Sequence, residues 1–150
     1  MFLLSTRMCI VSCHELIKGY YAGHKTKATL LAEKFNLNIR TLNPSLNKMT
    51  HAGLLKSQVG GIDRGYIFTR DPKEITLYDI INAIEGFSYM KNCEDALHGA
   101  TCAIDTCDNC ILYNTSKLIT DNAKEQYKKI SIYDMYYNEE YRDFKTAATL

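Results

Sequence analysis

The stretch Gly60-Gly61-Ile62-Asp63-Arg64-Gly65 constrains the chain most. It has turn chemistry and separates two short runs, Leu54 to Val59 and Tyr66 to Arg70, that read as strands. Together they predict a β-hairpin. Elsewhere the apolar spacing is helical. Residues 4–21 predict a helix with Leu4, Met8, Val11, Cys13, Leu16, Ile17 and Tyr20 inward and Arg7, Glu15 and Lys18 in water. A chain of 150 residues, 46% apolar and 23% charged, is long enough to bury a real core and is not disordered in composition.

A second helix is expected over Lys27 to Phe35, with Thr26 as N-cap and Leu30, Leu31 and Phe35 as its apolar stripe. Asn36-Leu37-Asn38 reads as a tight turn. The third helix ends near Ala52-Gly53. It has two possible starts: Asn43-Pro44 as N-cap and N1, leaving about two turns, or Ile39, with a kink at Pro44. After the hairpin, Asp71-Pro72 closes the wing, Thr76 caps a helix from Leu77 to Glu85, and Gly86 ends it. Residues 87–110 are irregular and Cys-rich. A last helix spans Ile111 to Ile130, with Ile111, Leu112, Leu118, Ile119, Ala123, Tyr127 and Ile130 forming a partial apolar face. Such a late helix packs on the first helix or on a second subunit. Ser131 to Leu150 is a Tyr-rich tail. Three helices followed by a hairpin is the order of a winged helix-turn-helix.

Net charge is +1, unevenly divided. Residues 1–75 hold 11 Lys/Arg against 5 Asp/Glu, and residues 76–150 hold 7 against 12. A basic front half points to a polyanion. On the third helix, Arg40, Thr41, Asn43, Ser45, Asn47 and Lys48 have the chemistry to read base edges, Asn toward adenine and Arg toward guanine. Lys25, Lys27, Lys56 and Arg64 suit phosphates. The alternative is a winged helix used for protein contacts. No apolar run approaches a membrane span, and the interrupted N-terminus does not read as a signal peptide, so a cytoplasmic protein is expected. There is no phosphate loop or nucleophile elbow, and His14, His24, His51 and His98 are scattered, so an enzyme is not expected.

Several segments carry a resemblance. Leu4-Ser5-Thr6-Arg7, Lys48-Met49-Thr50-His51-Ala52-Gly53-Leu54-Leu55-Lys56-Ser57, Gly65-Tyr66-Ile67-Phe68-Thr69-Arg70 and Glu74-Ile75-Thr76-Leu77-Tyr78-Asp79-Ile80-Ile81 match one family, as does Ala83-Ile84-Glu85-Gly86. The chain resembles the Rrf-two-type winged-helix transcriptional regulators, the group that includes IscR, NsrR and CymR. The resemblance covers about residues 2–130 and is strongest over 48–86. It implies a mainly α fold with a small β-hairpin wing. It divides the chain into a DNA-binding domain (1–86), a Cys-rich sensor loop (87–110) and a dimerisation helix with its tail (111–150). It further implies a homodimer on a palindromic double-stranded DNA operator, no membrane role, and, in many members, an iron–sulfur cluster. Three departures stand out: Val59 replaces the Arg that often opens the wing, the wing tip is one residue longer, and Pro44 falls inside the recognition helix.

Four of the six cysteines crowd into one segment with the spacing Cys93-x8-Cys102-x4-Cys107-x2-Cys110. Four thiolates suffice for an iron–sulfur cluster of either the 2Fe-2S or the 4Fe-4S kind. Zinc is the alternative metal, with His98 as a further candidate ligand; a thiol switch and no site at all are the others. Cys9 and Cys13, spaced i,i+4 on the first helix, are additional candidate ligands or simply buried small hydrophobes. Cluster loss to oxygen, nitric oxide or iron shortage would then alter DNA binding. In the cluster-free alternative, a thiol switch, zinc or a protein partner does the sensing.

Overall fold

Helix α1 (Leu4–Ala22) is set by the stripe Met8, Cys9, Ser12, Cys13, Leu16 and Ile17, all buried. The computed structural model describes residues 2–86, 103–104 and 106–142. Leu4 and Val11, expected inward, are exposed. Leu4 lies a full turn before Met8, beyond the end of the core, and Val11 falls off the stripe. Around α1 pack α2 (Ala28–Phe35), α3 (Ile39–His51), the strands β1 (Leu55–Gln58) and β2 (Gly65–Phe68), and α4 (Leu77–Ile84). Leu31, Leu42, Leu46, Met49, Leu55, Phe68, Ile75 and Ile80 close one core with α1.

The hairpin is antiparallel, pairing Leu55 with Phe68, Lys56 with Ile67, Ser57 with Tyr66 and Gln58 with Gly65. It is fixed to the helices by an isolated bridge between Thr26 and Tyr66, with hydrogen bonds of 2.8 and 2.9 Å. Thr26 is therefore not the N-cap of α2; that position is Lys27. The Thr26 hydroxyl is buried without a partner among the described residues.

Between α2 and α3, Asn36 takes the left-handed conformation at φ 52°. Asn38 caps α3, its side chain accepting from the Arg40 amide at 2.9 Å. The longer of the two starts is thus the real one, and α3 continues through Pro44. Proline removes a single rung here, the one to the Arg40 carbonyl. Leu42, Leu46 and Met49 bury the opposite face, which holds the helix in register across that gap. Thr76 caps α4 in a capping box with Asp79.

After a 3-10 turn at Cys107–Asn109 come α5 (Ile111–Lys128), α6 (Ile132–Tyr137) and α7 (Glu139–Arg142). The tail returns to the core built by α1 to α4. Ile132 is fully buried in the common core, Ser131 bridges to Thr76, and the Tyr136 hydroxyl donates to the Ile10 carbonyl at 2.6 Å. Helix α5 behaves differently: none of its residues is buried. Ile111, Leu112, Leu118 and Ile119 lie exposed at i, i+1, i+7 and i+8, on one side of the helix. Among the described residues, no helix is long and apolar enough to cross a membrane.

Candidate nucleic-acid interface and cysteine segment

Helix α3 buries Leu42, Ser45, Leu46 and Met49 and leaves Arg40, Asn43, Asn47 and Lys48 exposed. Arg40, Asn43 and Asn47 follow helical spacing and share a face. Between that face and the hairpin runs a groove of about 340 Å³. Lys27 and Thr29 border it from the start of α2, Asn43 and Asn47 from α3, and Ser57, Gln58, Arg64 and Tyr66 from the wing. Its lining holds two cations and no acid. The Tyr66 hydroxyl donates to Asn47 Oδ1 at 3.0 Å, and Lys25 Nζ donates to Gln58 Oε1 at 2.7 Å. Burial pushes the Tyr66 phenol above its ordinary value, so it remains a proton donor. These contacts hold the wing at a set distance from α3.

The end of α4 is tied to α3 and to α1. Lys48 Nζ donates to the Ile84 carbonyl at 3.2 Å, and the buried Thr6 hydroxyl donates to Glu85 Oε2 at 2.6 Å. The Cys-rich segment begins immediately after this end. Of its four cysteines, Cys107 and Cys110 are half-buried free thiols at either end of the 3-10 turn before α5. Asn114 Nδ2 clasps that turn, donating to the Asp108 carbonyl at 2.7 Å and the Cys110 carbonyl at 3.0 Å. Cys93, Cys102 and His98 lie outside the described residues. Among the described residues, no three His, Cys, Asp or Glu side chains gather as a metal set.

Residues 6–138 match the family model Rrf2, described as an iron-dependent transcriptional regulator. The chain belongs to the Rrf2 family. Solved structures agree on the fold. IscR of T. potens is 20% identical with a TM-score of 0.69, over 95% of this chain and 90% of that one. CymR of B. subtilis, the global cysteine regulator, is 22% identical with a TM-score of 0.63, over 90% and 95%. The oxidised form of Staphylococcus aureus CymR is 18% identical with a TM-score of 0.62, over 88% and 92%. A comparison with curated proteins gives no match.

Within this Rrf2 frame, Lys27, Asn43, Asn47 and Arg64 meet at the groove, and Lys25 borders it through Gln58. Arg40 and Lys56 are exposed and Thr41 is half-exposed, all outside the groove's lining. Two residues depart from the expected set. Ser45 is buried, its hydroxyl donating to the Thr41 carbonyl at 2.9 Å, because it lies on the inward stripe beside Leu42 and Leu46. Lys48 faces α4. Cys9 and Cys13 are fully buried. Burial pushes the Cys9 thiol up to about 12 and the Cys13 thiol well above its ordinary value, whereas a metal ligand must be a thiolate. Their environment is that of small core hydrophobes. Thr29, Ser57, Gln58 and Tyr66 complete the lining beyond the residues expected from sequence; the signal for Ser57 and Gln58 is their place on the outgoing strand β1 beside Lys56.

Proposed function

We propose that this Rrf2 protein is a sequence-specific DNA-binding regulator that works as a homodimer and carries an iron–sulfur cluster on Cys93, Cys102, Cys107 and Cys110. The observation carrying the DNA reading is the acid-free groove where Asn43 and Asn47 stand beside Lys27 and Arg64. Asparagine reads adenine edges in the major groove, and the lysines and Arg64 neutralise phosphates on either side. Lys25, Lys27, Lys56 and Arg64 in two subunits make about eight phosphate contacts, so log affinity should fall against log salt with a slope of about −7. Helix α5 supplies the second copy's contact: an 18-residue helix with no buried residue and a four-residue aliphatic stripe has its natural partner in itself.

The donor set of the cysteine segment fits a cluster. Cys107 and Cys110 offer two accessible thiols three residues apart on a turn clasped by Asn114, and Cys93 and Cys102 complete the count of four. A bound cluster would supply a redox-labile crosslink of that segment. The chain's own residues carry the consequence. Lys48 and Thr6 hold the end of α4, where the segment starts, so its conformation bears on the pose of α3 and on the spacing of two recognition helices across a palindrome.

Anaerobic purification followed by visible absorption and iron, sulfide and zinc assays tests the cluster. Broad visible absorption with iron and acid-labile sulfide is expected; a colourless protein with stoichiometric zinc would overturn it in favour of a structural clip. Fluorescence anisotropy on duplexes selected from a random pool tests the DNA reading. Binding without salt dependence, or none, would refute it.

A further inference from the structure

Asn43 and Asn47 stand one turn apart on the exposed face of α3, but their amides are not equally free. The Asn47 amide oxygen accepts from the Tyr66 hydroxyl at 3.0 Å. Its amino group makes no hydrogen bond among the described residues, and neither end of the Asn43 amide makes one. Tyr66 is itself fixed. Its backbone forms the two-bond bridge to Thr26, it pairs with Ser57 across the hairpin, and its half-buried ring packs against the core. Burial raises the phenol above its ordinary value, so the hydroxyl keeps its proton and donates it, and the amide answers with its oxygen.

From this we infer that Tyr66 turns the Asn47 amide so that it offers DNA its amino group alone, and that Asn47 therefore selects guanine while Asn43 selects adenine. The inference rests on the DNA-binding reading above and narrows the asparagine–adenine pairing given there to Asn43. A bidentate contact to adenine needs Oδ1 and Nδ2 side by side, the oxygen accepting from N6 and the nitrogen donating to N7. Oδ1 keeps a second lone pair, but an amide swung to the wing to meet the phenol no longer lies in line with a base edge. What remains for DNA is a pair of N–H donors. Guanine presents two adjacent acceptors, N7 and O6, whereas adenine sets its N7 beside an amino group that opposes a donor. A donor-only side chain thus separates the two purines by a clash with one as well as by attraction to the other. Asn43 has no neighbour holding its amide, so both of its ends are available to adenine. Tyr66 is a positioning residue, acting on the base through Asn47.

The test uses the full chain and a duplex selected from a random pool, with each base pair then varied singly and affinity read by fluorescence anisotropy. Asn47→Ala and Asn43→Ala, both at exposed positions, identify the pair each residue reads as the position where discrimination is lost. At the Asn47 pair, wild type should prefer guanine to adenine by about tenfold, the scale of one specific base contact. 7-Deazaguanine there, which lacks the N7 acceptor, should weaken wild-type binding several-fold; this arm needs no variant at Tyr66, so it decides even where that variant is less stable. Tyr66→Phe keeps the ring and removes only the hydroxyl. It should bring adenine to within about twofold of guanine at the Asn47 pair and leave the adenine preference at the Asn43 pair unchanged. A role confined to holding the wing would lower affinity for every base alike, so a uniform loss overturns the proposal. So does an adenine preference of wild type at the Asn47 pair, indifference to 7-deazaguanine, identical base profiles for wild type and Tyr66→Phe, or no pair at which Asn47→Ala loses discrimination. DNA binding itself survives each of these results. No binding by wild type to any duplex would take down the underlying reading with it.

Discussion

Replacing Gly65 with alanine should detach the wing from the helices. Gly65 opens β2 at φ 140°, in the region that side chains avoid. An added Cβ would lie 2.7 Å from the Thr26 carbonyl oxygen and 2.8 Å from its carbon. Both are backbone atoms, so neither can swing aside. Relief requires β2 to move away from Thr26, which breaks the bridge to Tyr66 and its two hydrogen bonds of 2.8 and 2.9 Å. Each is worth about 1 kcal/mol, and the dihedral strain adds about 1–3 kcal/mol, for a total of roughly 3–5 kcal/mol. With a urea slope of about 2 kcal/mol per molar, the unfolding midpoint should drop by about 1.5–2.5 M. Circular dichroism in urea measures this. Gly60→Ala is the control, since its φ is 84° but nothing lies within 4 Å of the new Cβ; it should cost only about 1 kcal/mol. Equal costs for the two variants would refute the reasoning, because the close approach to Thr26 would then contribute nothing.

Four further outcomes are expected. On protein stripped of metal, a brief iodoacetamide pulse at pH 8 should label Cys107 and Cys110 but not Cys9 and Cys13, read by peptide mapping; equal labelling would contradict the burial of Cys9 and Cys13. Burial alone would raise the Glu15 carboxyl, but hydrogen bonds and charge from Lys34 at 2.6 Å and Lys18 at 3.0 Å hold it below its ordinary value. Its stabilisation is present above the ordinary carboxylate value and lost as pH falls through the lowered one, so Lys34→Met should raise the acid-unfolding midpoint and cost about 0.5–1 kcal/mol at pH 7. Tyr136→Phe removes the hydroxyl that holds α6 to the Ile10 carbonyl; a loss of about 1 kcal/mol, or about 3 °C by calorimetry, is expected, and an unchanged melting temperature would show the clasp idle. Ile119→Glu places a charge in the exposed stripe of α5 and should convert the proposed dimer to a monomer in sedimentation, with the monomer still folded because no core residue is touched.

Much of the fold was legible in the residues because local rules act locally. The Gly-rich turn, the Thr76 capping box and the apolar spacing of α1 and α4 each depend on neighbours within a few positions. Pro44 shows where such rules stop. Propensity alone allows a short helix starting there, and only burial of Leu42, Leu46 and Met49 keeps α3 whole on both sides of it. Thr26 looked like a cap and became a bridge, because its partner Tyr66 lies 40 positions away across the hairpin. The site divides along the same line. Residue chemistry nominated Asn43, Asn47, Lys27 and Arg64, but which of them share a groove is a matter of how the wing lies over α3.

The amino-acid sequence by itself determined the order of elements, the basic front half, the four crowded cysteines and the apolar face of the last long helix, since these follow from composition and short-range periodicity. Tertiary structure alone decided that Ser45 turns inward, that Lys48 reaches the end of α4, and that the tail returns to bury Ile132 and anchor Tyr136 on Ile10. It also put Cys9 and Cys13 out of reach of water, which keeps their thiols protonated and makes them packing groups. The reason is common to all of them: burial and long-range contact are set by which surfaces meet, and residues up to 126 positions apart in the chain meet only once the whole core has closed.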